Sequence, residues 1–151
     1  MKREENSIYN YSWKAFEVDV KVLLKKIDFS NYDILVGVAK GGLPLLTTLL
    51  NRTKLNNYEI IRAYSYEGRE HQPVTIDLFC KADMEDKRVL VVDDVADTGG
   101  TLKEFKRRLT TQIHVKSVEF LTLFYKPQSV VIPEWYLHEV ENWQWIKFPW
   151  E

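Results

Sequence analysis

Apolar positions along the chain alternate between two spacings, and the alternation predicts its elements. Trp13, Phe16, Val20, Leu23, Leu24 and Ile27 fall on one helical face, and Ser12 stands where an N-cap is needed. Residues 34–38 (Ile-Leu-Val-Gly-Val) read as a buried strand, and residues 43–50 as a helix with Pro44 in its first turn. Residues 59–64 form the next strand. The polar stretch 66–73 interrupts the pattern, and residues 74–78 resume it as an alternating strand. Val89, Leu90, Val91 and Val92 make another buried strand that ends at Asp93 and Asp94. Leu102, Phe105 and Leu109 then recur at helical spacing, and residues 117–125 form a long strand. Strands alternating with helices predict an α/β fold around a mostly parallel sheet, whose ligands collect at the strands' carboxyl ends.

Length and composition narrow this picture without changing it. The chain has 151 residues, enough for one domain with a sizeable core, and neither a repeat nor a linker divides it. A formal net charge of -1 gives no support to a general nucleic-acid binder. The single cysteine, Cys80, has no partner for an internal disulfide and reads as a small buried residue in a reducing, cytoplasmic setting. No apolar run approaches the ~20 residues needed to span a bilayer, and the charged first residues do not make a signal peptide. His71, His114 and His138 read as solvated, and no spacing suggests a zinc site or a catalytic triad.

The chemistry concentrates in residues 92–101, Val-Asp-Asp-Val-Ala-Asp-Thr-Gly-Gly-Thr. A strand, an acidic turn, a Gly/Thr loop and a helix N-terminus together can hold a phosphate through backbone N–H groups and hydroxyls. Asp93, Asp94 and Asp97 would repel that anion unless Mg²⁺ or ribose hydroxyls lay between, so the arrangement points to a phosphorylated sugar. Residues 38–42 (Val-Ala-Lys-Gly-Gly) make a second Gly-rich turn between strand and helix, suited to another phosphate.

These residues resemble the phosphoribosyl-pyrophosphate motif of type I phosphoribosyltransferases. The resemblance implies that family's fold, a twisted parallel sheet flanked by helices, here as a single domain over residues 1–151 with a small hood formed mainly by about 127–151. Ala39, Lys40 and Gly41 resemble the pyrophosphate loop, which in the family lies beside a non-proline cis peptide. Ser65 and Tyr66 resemble the Ser-Tyr pair of a mobile catalytic loop, from which Arg69 could also reach pyrophosphate. Asp93 and Asp94 would hold the ribose hydroxyls and meet Mg²⁺ through the ribose or through water. Asp97 would manage the proton at purine N7, Thr98, Gly99, Gly100 and Thr101 would anchor the 5'-phosphate, and Ala96 and Asp97 would also contact phosphoribosyl pyrophosphate. Ala96 departs from the bulky aliphatic residue that many relatives carry there.

The base end points to the purine-salvage branch, and within it to bacterial xanthine-guanine and archaeal hypoxanthine/guanine enzymes. Four of the five tryptophans lie in the last 17 residues. Trp135, Trp143 and Trp150 read as docked core. Trp145 and Ile146, followed by Pro149, Trp150 and Glu151, resemble the family's C-terminal hood, where a tryptophan stacks on the purine and the next backbone reads its 2-substituent. Glu151 corresponds to an acid that approaches the metal's water shell or the base. Lys126 resembles the lysine that donates to purine O6; an ammonium only donates, so it favours a 6-oxopurine over adenine. The implied activity is transfer of ribose 5-phosphate from phosphoribosyl pyrophosphate to N9 of hypoxanthine, guanine or xanthine, with Mg²⁺, in a homodimer or homotetramer. Two alternatives stay open: an RNA-binding transcriptional regulator of the same fold, and a transferase for another base.

Overall fold

The structure, a computed structural model, describes residues 7–64, 75–78 and 83–151. Six of its strands form one sheet in the order β4-β3-β2-β5-β6-β7, namely Thr75–Leu78, Tyr58–Tyr64, Ile34–Ala39, Arg88–Ala96, Ser117–Tyr125 and Trp135–Glu139. All neighbours pair in parallel except β4, which runs antiparallel to β3 at the edge. Helices α1 (Trp13–Lys26), α2 (Leu43–Arg52) and α3 (Gly100–Arg108) supply the crossovers and covering layers. Two short strands, β1 (Ile8–Asn10) and β8 (Trp145–Lys147), pair in parallel as a separate ribbon.

The predicted elements form where their physical causes lie. Ser12 caps α1, its Oγ accepting from the Ala15 N–H at 3.1 Å, while Phe16, Val20 and Leu23 turn inward. Trp13 departs from the predicted inward face and is 55% exposed, its ring lying edge-on to Phe16 and against Trp150. Pro44 sits in the first turn of α2, where a missing N–H costs nothing. Strand β5 runs further than the apolar run that marks it. Pairing with β6 continues through Asp93↔Thr122 and Val95↔Phe124 to Ala96↔Tyr125, so the two acids lie within the strand rather than in a turn after it. Backbone pairing across a central parallel sheet outweighs the turn preference of Asp there.

One core lies between the sheet and α1–α2, with Leu23, Leu35, Leu45, Leu49 and Leu90 fully buried, and a second lies under α3 around Phe105, Leu109 and Phe120. Asp33, just before β2, clamps the start of β5: its carboxylate accepts from the Arg88 backbone N–H at 2.8 Å and from the guanidinium at 2.9 and 3.1 Å. That guanidinium holds the Asp33 carboxyl well below the ordinary carboxylate range. Phe105, with no exposure, fixes α3 against the sheet and thereby the Gly-rich turn at the helix start. Replacing Phe105 with Ala is expected to lower unfolding free energy by about 3–5 kcal/mol. Urea titration should show an earlier midpoint with little change in slope.

Candidate active site

Three strand ends bring the candidate residues to one edge of the sheet. Lys40 follows β2, Asp97 follows β5 and Lys126 follows β6, all at carboxyl ends of parallel neighbours. The peptide bond between Ala39 and Lys40 is cis. Gly41 and Gly42 are needed for close approach. A Cβ on Gly41 would lie 2.6 Å from Cγ and 2.8 Å from Oδ1 of Asp94, and one on Gly42 would lie 2.8 Å from the Val38 carbonyl oxygen. The first Gly-rich turn is therefore pressed against the acidic strand end. Lys40 itself projects into solvent.

The acidic pair is the most perturbed electrostatic feature of the site. The Asp94 backbone N–H donates to Asp93 Oδ1 at 2.8 Å. Burial, then the neighbouring Asp94 charge, pushes the Asp93 carboxyl well above its ordinary value. Burial also raises Asp94, against which the Asp93 side chain, the Val95 backbone N–H and the Trp150 indole pull it down. Trp150 Nε1 is itself buried and lacks a partner in full hydrogen-bond geometry, so its pull on Asp94 is that of a nearby dipole. Two desolvated carboxylates in this state suit a cation or hydroxyl donors between them. Among the described residues no group of three or more His, Cys, Asp or Glu side chains is gathered. Asp93 and Asp94 are the residues here that would meet a cation.

The Gly/Thr loop follows directly. Gly99 has φ +80°, a conformation that disfavours other residues, and a Cβ there would also lie 2.9 Å from the backbone nitrogens of Val130 and Val131. Helix α3 begins at Gly100, and the Lys103 N–H bonds back to the Gly99 carbonyl at 2.9 Å, leaving the first-turn N–H groups unpaired within the helix. Thr98 is exposed and Thr101 half-buried on either side of the glycines, and Ala96 is buried beneath them. The arrangement can bind a phosphate through aligned N–H dipoles and two hydroxyls.

Lys126 is 6% exposed, and its Nζ lies 3.3 Å from Asp97 Oδ2. A strand-end lysine is ordinarily solvated; this one is drawn inward beside an acid at the strand edge. Gln128, which no spacing in the sequence marks, donates through Nε2 to the other Asp97 oxygen. Trp145 is 64% exposed on β8, leaving its ring open, while Ile146 beside it is buried in the hood core. Glu151 is exposed at the chain end, and it is Trp150 rather than Glu151 that comes to the acidic pair.

Trp150 docks as predicted, stacked on Phe148 with centroids 5.0 Å apart, and Trp135 packs half-buried, its Nε1 donating to the Tyr32 hydroxyl at 2.9 Å. Trp143 does not: it is 56% exposed in the turn before β8, whose outward loop leaves no layer to receive it. His138, expected in solvent, stands on β7 with Nε2 2.7 Å from Asp19, which also accepts from the Tyr11 hydroxyl. His114 is exposed with φ 59°, closing the turn after α3. Ser65, Tyr66, Arg69, His71 and Cys80 lie outside the described residues.

A mostly parallel sheet with two Gly-rich turns at its strand ends and an acidic strand end beside them defines an α/β domain whose candidate site lies at the strands' carboxyl ends. The chain belongs to the phosphoribosyl transferase domain family, whose sequence model matches residues 10–151. It is 28% identical over 150 residues to the xanthine-guanine phosphoribosyltransferase of Cereibacter sphaeroides, covering 95% of this chain and 86% of that one. The purine phosphoribosyltransferase of Pyrococcus horikoshii superposes with a TM-score of 0.85 at 30% identity, covering 97% of this chain and 95% of that chain. The Helicobacter pylori xanthine-guanine-hypoxanthine phosphoribosyltransferase shares the fold, with a TM-score of 0.80 at 24% identity over 95% and 92% of the two chains.

Gly41→Ala tests the contact between the first Gly-rich turn and the acidic strand end. The methyl group would collide with the Asp94 carboxylate and force it to shift, so the melting temperature should fall. Affinity for phosphoribosyl pyrophosphate, followed by calorimetry, should fall by about tenfold or more.

Proposed function

We propose that this protein is a purine-salvage phosphoribosyltransferase that moves ribose 5-phosphate from phosphoribosyl pyrophosphate to N9 of a 6-oxopurine, releasing pyrophosphate. The observation that carries the choice of base is the inward Lys126, whose ammonium stands 3.3 Å from Asp97 at the strand ends. A purine placed there would meet a donor for O6 and a carboxylate for N7 side by side. The adenine 6-amino group would face that ammonium donor to donor, which disfavours it. Trp145, open to solvent on the hood, supplies a ring on which the base can stack, worth roughly 1–3 kcal/mol. The backbone at Ile146 would read the 2-substituent that separates hypoxanthine, guanine and xanthine.

In this reading the loop Thr98, Gly99, Gly100 and Thr101 binds the 5'-phosphate and fixes the ribose, so remote binding energy orients the reacting carbon. Ala39, Lys40 and Gly41 hold the pyrophosphate, and the family resemblance assigns Ser65, Tyr66 and Arg69 to the same donor. Asp93 and Asp94 accept from the ribose hydroxyls and place negative charge near the oxocarbenium character that develops as the C1–pyrophosphate bond breaks. Asp97 takes the N7 proton as N9 attacks. Mg²⁺, which the paired carboxylates fit, would neutralise the leaving pyrophosphate when bound. The same reading carries assembly as a homodimer or homotetramer and a cytoplasmic setting; among the described residues no helix is long and apolar enough to cross a membrane.

The test is pyrophosphate release with Mg²⁺, phosphoribosyl pyrophosphate and each of hypoxanthine, guanine, xanthine, adenine, orotate and uracil. Turnover confined to 6-oxopurines is expected. Turnover on adenine or a pyrimidine would overturn the assignment of base. No turnover on any base, with donor still bound, would redirect the search to RNA. Asp97→Ala should lower kcat by about 10²–10⁴-fold while donor affinity changes little; equal losses in both would remove its assigned role.

A further inference from the structure

Asp97 is the least sheltered of the three acids, its side chain 49% exposed, yet both of its oxygens are engaged. Lys126 Nζ lies 3.3 Å from Oδ2, and Gln128 Nε2 donates to Oδ1. Lys126 is held by its own burial and by its backbone N–H, which donates to the Ala96 carbonyl at 3.0 Å. Gln128 is held differently. Its backbone N–H donates to Asn142 Oδ1 at 2.8 Å, so a hood residue sets the position of the turn that carries it. The next residue closes the same turn, the Ser129 N–H donating to the Lys126 carbonyl at 2.9 Å, and the Val130 N–H reaches across to the Thr98 carbonyl at 2.9 Å. The segment 126–130 is thereby laced to the segment 96–98, with Asp97 between the two rungs.

We propose that Gln128 is a positioning residue for Asp97: its amide N–H fixes the carboxylate plane so that a purine N7 proton meets it in line. This deepens, and rests on, the reading in which Asp97 handles that proton. An exposed carboxylate held by one lysine alone swings about Cβ, whereas donors on both oxygens fix its rotation. Each oxygen keeps a free lone pair, so the fork orients the acid without saturating it. A neutral amide suits this position, because it donates while adding no charge beside the base pocket. Asn142 extends the argument to the hood: the residue that places Gln128 lies next to Trp143 and three before Trp145, so hood geometry is passed to the proton acceptor.

The decisive comparison is Gln128→Glu against Gln128→Ala. Glutamate keeps shape and length but cannot donate, and it sets a second carboxylate against Asp97. If Gln128 positions Asp97, Gln128→Glu should lower kcat by about tenfold or more, and by more than Gln128→Ala, with donor KM little changed in both. If Gln128 only fills space, the order reverses, because Glu conserves volume; that order, or a fully active Gln128→Glu, overturns the proposal. A second readout needs no turnover: the side-chain amide resonances of Gln128 in ¹⁵N-labelled protein should shift in Asp97→Asn, and unmoved resonances overturn the contact. Wild-type protein that turns over no purine would overturn the functional reading itself, a result separate from an active wild type whose Gln128→Glu is unimpaired.

Discussion

The site depends on the parallel pairing of β5 with β6, continued past the strands' formal ends. Within the sheet the pairing runs in register from Arg88↔Ser117 to Ala96↔Tyr125. Beyond it, two more backbone bonds carry the ladder into the loops, Lys126 N–H to Ala96 and Val130 N–H to Thr98. Parallel strands deliver their carboxyl ends at the same level, and this extension keeps the following loops level too. The loop proposed to hold phosphate and the turn proposed to meet the base are thus one hydrogen-bonded unit. Gly99 shows how tightly they are joined: its missing side chain is where the Val130 and Val131 nitrogens stand.

This arrangement has an electrostatic consequence. Continuing β5 through Asp93 and Asp94 places both carboxylates in the sheet edge rather than in solvent, where burial raises both and the Asp94 charge raises Asp93 further. Burying unpaired charge works against folding, and such placements persist where a ligand supplies the missing counter-charge or donors. Gly41 fits the same account, since any side chain there would occupy the space beside Asp94. By contrast, Asp33 and Glu104 face guanidinium partners, and both carboxyls fall below their ordinary values, Glu104 to about 2. Asp33 and Glu104 are paired with cations, whereas among the described residues no cation enters the balance at Asp93 and Asp94.

Much of this was legible in the sequence because it rests on local causes. Helical spacing marked α1 to its cap, apolar runs marked β2 and β5, and Asp-Thr-Gly-Gly-Thr marked the turn that leads into α3, since each follows from neighbours along the chain. The contacts that escaped are those between distant segments. Gln128 meets Asp97 only because two loops are laced together, and nothing in Lys-Pro-Gln-Ser signals it. His138 looked solvated because its partner, Asp19, lies on a helix at the other end of the sequence. Of the tail's rings read as docked core, Trp135 and Trp150 pack inward but Trp143 points outward, while Ile146 and Phe148 fill the hood.

The hood shows why long-range pairing matters for the site. Strand β8, which carries Trp145 and Ile146, is not part of the main sheet; its partner is β1, with Ile8↔Trp145 and Tyr9↔Ile146 in register. An isolated two-stranded ribbon is marginal in water, so other contacts must hold it. Those contacts are aromatic: Tyr11 lies edge-on to Phe124, Phe148 and Trp150, and its buried hydroxyl donates to Asp19, which His138 also meets. Edge-to-face pairs add roughly 0.5–1.5 kcal/mol each beyond area burial. Trp150 closes the circuit, packing on Phe16 of α1 while its indole faces Asp94. The first residues of the described chain therefore set the position of the last, and the last reach the acidic pair. A surface that would receive a base is positioned by residues far from it in sequence, which is why neither chain end can be read as an appendage to the sheet.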